Sequence, residues 1–495
     1  MSSVQIEEQA ELVLAAEECS DELFGVLHKF SRYEEKIIRS LTAHGPVLLR
    51  GGRGSGKSAL MIEASNRMKM ESNGIFSAYL SLRYLPLLRE TGLQYERFFC
   101  QLVSHAIQAQ GQLQTNNEFY FEQVDNGGDL QQALIDLASK LERRIVLLFD
   151  DAAHLGRENA SSEFFDLFRS ISSRLVSCKA AIYPGVTNFG KRFDVYNDAT
   201  VISIARDERT DGFDEFFYSV MVARYGTLAN RLVSSLNASE VAGFLGKTVL
   251  GNMRAFVFAC NKLKEGEASI GLSELSKCLV DLSADYYWPL LEEVAPKLGR
   301  YEPLVEPSKE IAEVIFALCG ESRTTSIIIH RKFCQNFSKP LEILEYAGFI
   351  SKREASRALK KGGRGPRFSV NLANLLEVTS GRRLTQELFR QWHEYDREDF
   401  TEVNSNSAVF DSVSIPELPE KFDLDIFSSP IEALAKSLAY PYGLTPRRIE
   451  VLKEAGYHSV GQLAEASDDE LRQLPLIADA TLTKIRAVIA QAVWM

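Results

Sequence analysis

Cysteine is scarce in this sequence of 495 residues, and its few copies form no pattern. Seven are scattered singly, with no Cys-x-x-Cys pair and no Cys/His group. That spacing excludes the usual structural zinc and points to the reduced thiols of a cytosolic protein. The chain also lacks a run of about 20 apolar residues, the length a membrane-spanning helix needs. Lys and Arg are missing from Ser2–Ser20, a stretch with five glutamates, so it does not read as a secretory leader. Positive charge is short overall, with 56 Lys+Arg against 67 Asp+Glu and a net charge of −11. Any contact with nucleic acid must therefore come from a local patch.

What is present is the composition of a globular protein, 45% hydrophobic and 25% charged. Its length suggests about three domains. One stretch organises the rest. Residues 51–58 read Gly-Gly-Arg-Gly-Ser-Gly-Lys-Ser, directly after the apolar run Val47-Leu48-Leu49 and directly before the helical stretch from Ala59. This is the P-loop spacing, a buried strand that ends in a glycine-rich turn and opens a helix. Glycines let successive backbone N–H groups of Gly51, Gly54, Ser55, Gly56, Lys57, Ser58 and Ala59 curl around a polyphosphate, which also faces the helix dipole. Lys57 adds a point charge for the β- and γ-phosphates, and the Ser58 hydroxyl is a ligand for Mg²⁺. ATP and Mg²⁺ are the expected cofactors.

Downstream, Ile75–Leu82 alternates like a strand and residues 95–109 and 130–141 have helical period. Arg144–Phe149 is a continuous apolar run ending in Asp150 and Asp151. Such a run is a buried parallel strand whose tip reaches the ligand crevice. Asp150 is expected in the Mg²⁺ shell and Asp151 as the group that polarises the attacking water. Residues 180–183 and 200–204 add two strands, which makes five, alternating with helices. The expectation is an α/β fold with a parallel five-stranded sheet and the site at the carboxyl strand ends. Residues 213–264 read as helical, with Asn252 as an N-cap and Arg254 in the first turn after it.

Together, Gly51–Ser58, Asp150–Asp151, Pro184–Asn188 and Gly251-Asn252-x-Arg254 give residues 20–265 a resemblance to the AAA+ ATPases of the origin-recognition/initiator branch, and to the related STAND signalling ATPases. The resemblance implies a helical lid and a sensor at Asn188 or Thr187 that contacts the γ-phosphate or lytic water. It also implies that Arg254 reports ATP against ADP. Asp151 stands where the family usually has glutamate, which implies slow hydrolysis. Arg169, Arg174 and Arg192 all fall in the interval for a trans-acting arginine, and none is singled out by pattern.

Residues 305–378 resemble the winged helix that such proteins carry after the lid. Three short helices are expected at Ser308–Leu318, Thr325–Phe333 and Lys339–Ala347, followed by a hairpin with a basic, glycine-rich tip. Lys352, Arg353, Arg357, Lys360, Lys361, Arg364 and Arg367 face a single glutamate, a local excess of six positive charges. These seven are the candidate DNA contacts, through phosphates. Residues 391–428 hold ten acids, two bases and prolines 416 and 419, and read as an extended acidic linker. The tail resembles the helix-hairpin-helix C-terminal domain of the bacterial RNA polymerase α subunit. In that family a DNA-contacting arginine falls at Arg447. Here Ala478 replaces the hairpin glycine and Asp479 a hairpin lysine, so a protein-docking role is favoured for the tail.

The expected organisation is a nucleotide-binding core (1–212), a lid (213–304), a winged helix (305–380), a linker (381–429) and a helix-hairpin-helix tail (430–495). The expected function is an ATP switch, slow to hydrolyse, that regulates or loads a DNA-associated complex with a partner protein or further copies of itself. A mobile-element or antiviral defence module is the expected setting. The alternative is a STAND-like scaffold that assembles with partner proteins upon a trigger, without DNA. No substrate-pocket signature supports a small-molecule phosphotransferase.

Overall fold

The computed structural model of the chain describes residues 16–70, 74–83, 87, 90–115, 119–266, 269–394, 399–419, 424–436, 443–475 and 477–494. Expectations for the first 15 residues and for Leu476 lie outside the described residues. Five short segments form one sheet: β1 Val47–Arg50, β2 Ile75–Ser81, β3 Arg144–Ala153, β4 Val176–Ile182 and β5 Thr200–Ser203. Their order is β2-β3-β4-β1-β5 and every pairing is parallel. The protein is α/β.

The period-2 alternation of the strands sorts their side chains onto two faces. Leu48, Leu147, Phe149 and Ala180 pack with Phe99, Leu134, Phe164 and Phe168 from the helices Gly92–Thr115, Gly127–Leu141 and Glu158–Ile171. Val47, Leu49, Val146 and Leu148 pack with Ile37, Ile38, Leu60 and Met61 on the other face. Both faces are covered, so the central strands read as continuous apolar runs. β4 begins four residues before the expected Ala180. Ser177 and Lys179 hide it in the sequence, yet both are buried. Lys179 Nζ donates to the carbonyls of Ala43 (2.7 Å) and Gly45, which satisfies an ammonium that burial would otherwise penalise.

Helices Phe213–Arg224, Ala238–Thr248 and Met253–Glu265 follow the sheet. Asn252 caps the third as expected, accepting from the Ala255 N–H at 3.2 Å. Leu250 (φ 56°) and Gly251 (φ 76°) precede the cap in consecutive left-handed conformations, a sharp reversal in the backbone.

A second, mixed sheet contains β6 Ser326–Ile329, β7 Ile350–Ala358, β8 Arg364–Val370 and β9 Thr401–Val403, in the order β7-β8-β6-β9. Two expectations change here. Residues 325–333 are not one helix: Ser326–Ile329 is a strand, and only Arg331–Asn336 is helical. Three consecutive isoleucines favour a pleated surface, and β8 supplies the partner edge. The acidic stretch 391–428 is not wholly extended linker either. It contributes β9, and Asp399 accepts from the Thr325 N–H at 3.0 Å. The described residues between 424 and 494 close around their own core of Ile449, Leu452, Leu463, Leu471 and Ile485. No helix among the described residues is long and apolar enough to cross a membrane.

Candidate nucleotide site

β1 and β3 end on either side of β4, so the loop after β1 and the acids ending β3 meet at the carboxyl edge of the sheet. Gly54 (φ 78°) and Gly56 (φ 94°) take left-handed conformations that turn the loop into the helix Lys57–Met70. Lys57 Nζ donates to the carbonyls of Gly51 (2.8 Å) and Gly52 (3.0 Å) and lies 3.5 Å above the ring of Tyr183. Burial, reinforced by the charges of Arg254 and Arg83 and opposed by Asp151 and Asp150, lowers its ammonium pKa to about 7.

Asp150 Oδ2 accepts from the Tyr79 hydroxyl at 2.6 Å, and Oδ1 accepts from the Asp151 N–H at 2.9 Å. The Ser58 hydroxyl also bonds Asp150. Burial and then the neighbouring Asp151 push the Asp150 carboxyl up to about 6, an effect opposed by the bonds from Ser58 and Tyr79. Asp151 is set differently. Its backbone is left-handed (φ 52°), and its carboxylate accepts from Arg83 Nε at 2.6 Å and the Tyr183 hydroxyl at 3.2 Å. Burial alone would raise this carboxyl, but Arg83 and then His154 hold it well below the usual range. His154 itself is lowered to about 3 by burial, so it is neutral where its ring packs tilted against Tyr183. Glu17, Asp150 and Asp151 bring carboxylate oxygens within 4.8 Å of one another. With the Ser58 hydroxyl this is a set of hard oxygen donors, which fits Mg²⁺.

The helix Met253–Glu265 docks on the phosphate loop. The Arg254 N–H donates to the Gly54 carbonyl (3.2 Å), and Asn252 Nδ2 donates to the Arg53 carbonyl (2.6 Å). A Cβ on Gly54 would lie 2.7 Å from that of Arg254, so only glycine admits this contact. Arg254, Lys57, Arg83 and Tyr183 share a cavity of about 90 Å³ that reaches His28 and Arg224. That is below the roughly 300–1,000 Å³ usual for ligand pockets. The second sheet's unit closes the loop from the other side. The helix Ser338–Ala347 ends at the loop, where the Arg53 N–H donates to the Tyr346 carbonyl at 3.3 Å.

The structure brings Lys57, Ser58, Asp150, Asp151 and Arg254 together, but not Asn188 or Thr187. Asn188 Nδ2 donates to the Glu158 carbonyl (3.2 Å), and its Oδ1 accepts from the Gly190 N–H (3.1 Å). Thr187 faces Lys339 instead. The group near Lys57 at this strand end is Tyr183. Sequence reasoning also missed Arg83, Tyr79, Glu17 and Arg206. Arg206 Nη1 donates to the carbonyls of Ser55 and Gly251, both at 2.8 Å, and its guanidinium pairs with the buried Glu34. The one local signal was Glu34 itself, the third residue of the Ser31 capping box. Of the trans-arginine candidates, Arg169 is paired with Asp198 at 3.1 Å, and Arg174 and Arg192 are exposed.

The basic hairpin β7–β8 divides in two. Lys352, Lys360, Lys361 and Arg364 are exposed. The side chains of Arg353 and Arg367 are buried, contrary to the expected DNA-facing role. Arg353 pairs with Glu208 (2.8 Å), while Arg367 donates to Ser326 Oγ (2.9 Å) and the Asp399 carbonyl (3.0 Å). Arg357 is half-buried, 4.5 Å above the Phe400 ring and paired with Glu354.

No protein-family model matches the chain, and no curated protein does. Solved structures do. The Aeropyrum pernix ORC1 protein in complex with DNA is 13% identical over 74% of this chain and 93% of that one, with a TM-score of 0.31. A Drosophila ORC chain bound to DNA is 10% identical over 73% of this chain and 100% of its own, with a TM-score of 0.35. Domain III of the Thermotoga maritima replication initiation protein DnaA is 15% identical over 56% and 96%, with a TM-score of 0.30.

Proposed function

We propose that the chain is an ATP-binding, slowly hydrolysing switch of the AAA+ type that regulates or loads a DNA-associated complex. In this reading the sheet core (1–212) carries the nucleotide, residues 213–304 are its lid, 305–380 a winged helix and 430–495 a helix-hairpin-helix tail that docks a partner protein. A mobile-element or defence module would use such a switch. The observation that carries the reading is that the phosphate loop is bonded to both units that follow it, through Gly54 to Arg254 and through Arg53 to Tyr346. When bound, ATP would supply the negative charge that Lys57 and Arg254 are placed to neutralise, and Mg²⁺ would share in neutralising it. Ser58 and Asp150 would hold the cation, and Asp151 would be the group that takes a proton from water.

Arg83 accounts for slow turnover. A carboxylate held at 2.6 Å by a guanidinium is a poor proton acceptor. Arg83→Ala is expected to raise ATP turnover about tenfold at pH 8, equivalent to about 1.4 kcal/mol of barrier. Asp151→Asn should remove that gain in the same background. Phosphate release under single-turnover conditions measures both. Equal turnover in parent and Arg83→Ala would show that Asp151 is not restrained by this contact.

The DNA half of the proposal rests on the exposed part of the hairpin. Replacing Lys352, Lys360, Lys361 and Arg364 with Ser should leave folding nearly unchanged. Each lost phosphate contact should lower the slope of log affinity against log salt by about 0.9, and equally for unrelated duplexes, since phosphates carry no sequence. Duplex binding by fluorescence anisotropy across a salt series tests this. A parent that binds no duplex at low salt with ATP favours the second reading, a signalling scaffold. The covering of the phosphate loop by Tyr346 and the burial of Arg353 and Arg367 support that reading.

A further inference from the structure

Four consecutive residues after β5, Arg206-Asp207-Glu208-Arg209, touch nearly every unit discussed so far. Arg206 holds the phosphate loop at Ser55 and the lid at Gly251, and is backed by Glu34 from the helix Arg32–Thr42. Asp207 takes the Arg209 guanidinium on both carboxylate oxygens, with Nε at 2.7 and 2.9 Å. Arg209 then reaches β7, where Nη1 donates to Glu354 Oε1 and Nη2 to the Arg353 carbonyl, both at 3.1 Å. Glu208 completes the grip on the hairpin. It pairs with Arg353 at 2.8 Å and accepts from Ser369 Oγ of β8 at 2.8 Å.

We propose that Arg206–Arg209 is a positioning segment that makes the placement of the β7–β8 hairpin depend on the conformation of the phosphate loop. The inference rests on the reading of the loop as an ATP site. Three properties make the segment suited to this. It is short, about 10 Å of chain, and three of its four side chains bond other segments while the fourth, Asp207, fixes Arg209, so little slack separates its two ends. Its contacts are charge-assisted, and the Glu208–Arg353 pair is screened from water, with side chains 8% and 2% exposed, while Arg209, Asp207 and Glu354 are about a quarter exposed. Its lid contact falls on Gly251, within the left-handed pair Leu250–Gly251, where the backbone reverses before the helix carrying Arg254.

There is also room for the segment to move. Arg206, Asp207 and Thr210 line a cavity of about 430 Å³ together with Phe30 and Tyr33. A shift of the Ser55 or Gly251 carbonyl would thus displace an Arg206 that borders open space. Asp207, Glu208 and Arg209 would carry the shift to Arg353, Glu354 and Ser369. The same contacts explain why Arg353 is buried, since it holds the hairpin down and does not face a ligand.

Hydrogen–deuterium exchange of residues 350–370 in the full chain, with and without Mg²⁺-ATP, tests the proposal. Calorimetry with ATP is run on the same samples. In the parent, ATP is expected to change hairpin exchange at least fivefold. In Glu208→Gln/Arg209→Ser, which leaves every residue of the nucleotide site in place, ATP affinity should stay within twofold while that change falls below twofold. Arg209→Lys keeps the charge and loses the fork, and it should give an intermediate change; it also serves if the double variant fails to fold. A full ATP-dependent change in a folded variant overturns the proposal. So does a parent that binds ATP with no change at the hairpin. A parent that binds no ATP in calorimetry sinks the nucleotide reading instead, so the two failures are told apart.

Discussion

Lys57→Ala is expected to cut ATP affinity by about two to four orders of magnitude. Charged hydrogen bonds contribute about 1.5–3 kcal/mol each, and in the proposed reading this ammonium serves two phosphates, which gives about 3–6 kcal/mol. The folded protein should tolerate the change, because Gly51 and Gly52, whose carbonyls Lys57 bonds, also line a second cavity of about 140 Å³ with room for water. The parent should show a second effect, in pH. Without ligand the Lys57 pKa is lowered to about 7, chiefly by burial. A polyphosphate favours the charged form, so binding takes up a proton wherever the free protein has lost it. Affinity should therefore be nearly flat below pH 7 and fall by up to tenfold per pH unit above it. Lys57→Ala should lack this decline. Calorimetry at several pH values, in buffers of different ionisation enthalpy, reads both the affinity and the proton uptake. A parent affinity that is constant from pH 6 to 9 would show that the ammonium stays charged in the free site.

The second large effect is on stability, from Arg206→Ala. Its partner Glu34 is 1% exposed, and removing the guanidinium leaves a buried carboxylate without its counter-charge. Breaking a buried pair in this way costs about 3–5 kcal/mol. At roughly 2–4 °C per kcal/mol for a domain of this size, the core transition should fall by about 10 °C. Two carbonyls, those of Ser55 and Gly251, lose their donor in the same step. Glu34→Gln/Arg206→Met removes both charges at similar volume and should recover most of the loss, because no charge is then buried alone. Differential scanning calorimetry of the three proteins decides the matter. If Arg206→Ala shifts the transition by less than about 2 °C, the pair is not the tie described.

Short-range chemistry made half of this protein legible in its sequence. The phosphate loop follows from glycine spacing, because residues 51–59 are contiguous and the left-handed turns at Gly54 and Gly56 are set by local backbone conformation. β3 follows from Arg144–Phe149, where a strand buried on both faces has to be apolar throughout. Asn252 reads as a cap because capping joins residues three apart. The second sheet's hairpin is legible for the same reason, as two strands joined by a short turn.

Tertiary structure alone decided the partners of the charges. Asp151 has the same sequence whether it is free to activate water or held by Arg83, and only the parallel pairing of β2 with β3 sets that guanidinium beside it. Asn188 sits where the pattern asks for a sensor, but a nearby carbonyl takes its amide, and Tyr183 reaches Asp151 instead. The hairpin shows an excess of six positive charges in the sequence. Two of those charges face inward because the Glu208 carboxylate and the Asp399 carbonyl arrive from outside the hairpin, the latter from a stretch that reads as linker. Backbone conformation is decided largely by neighbours within a few residues, so it can be read from the chain. Charge compensation depends on distance in space and on exclusion of water, and neither exists until the chain has folded.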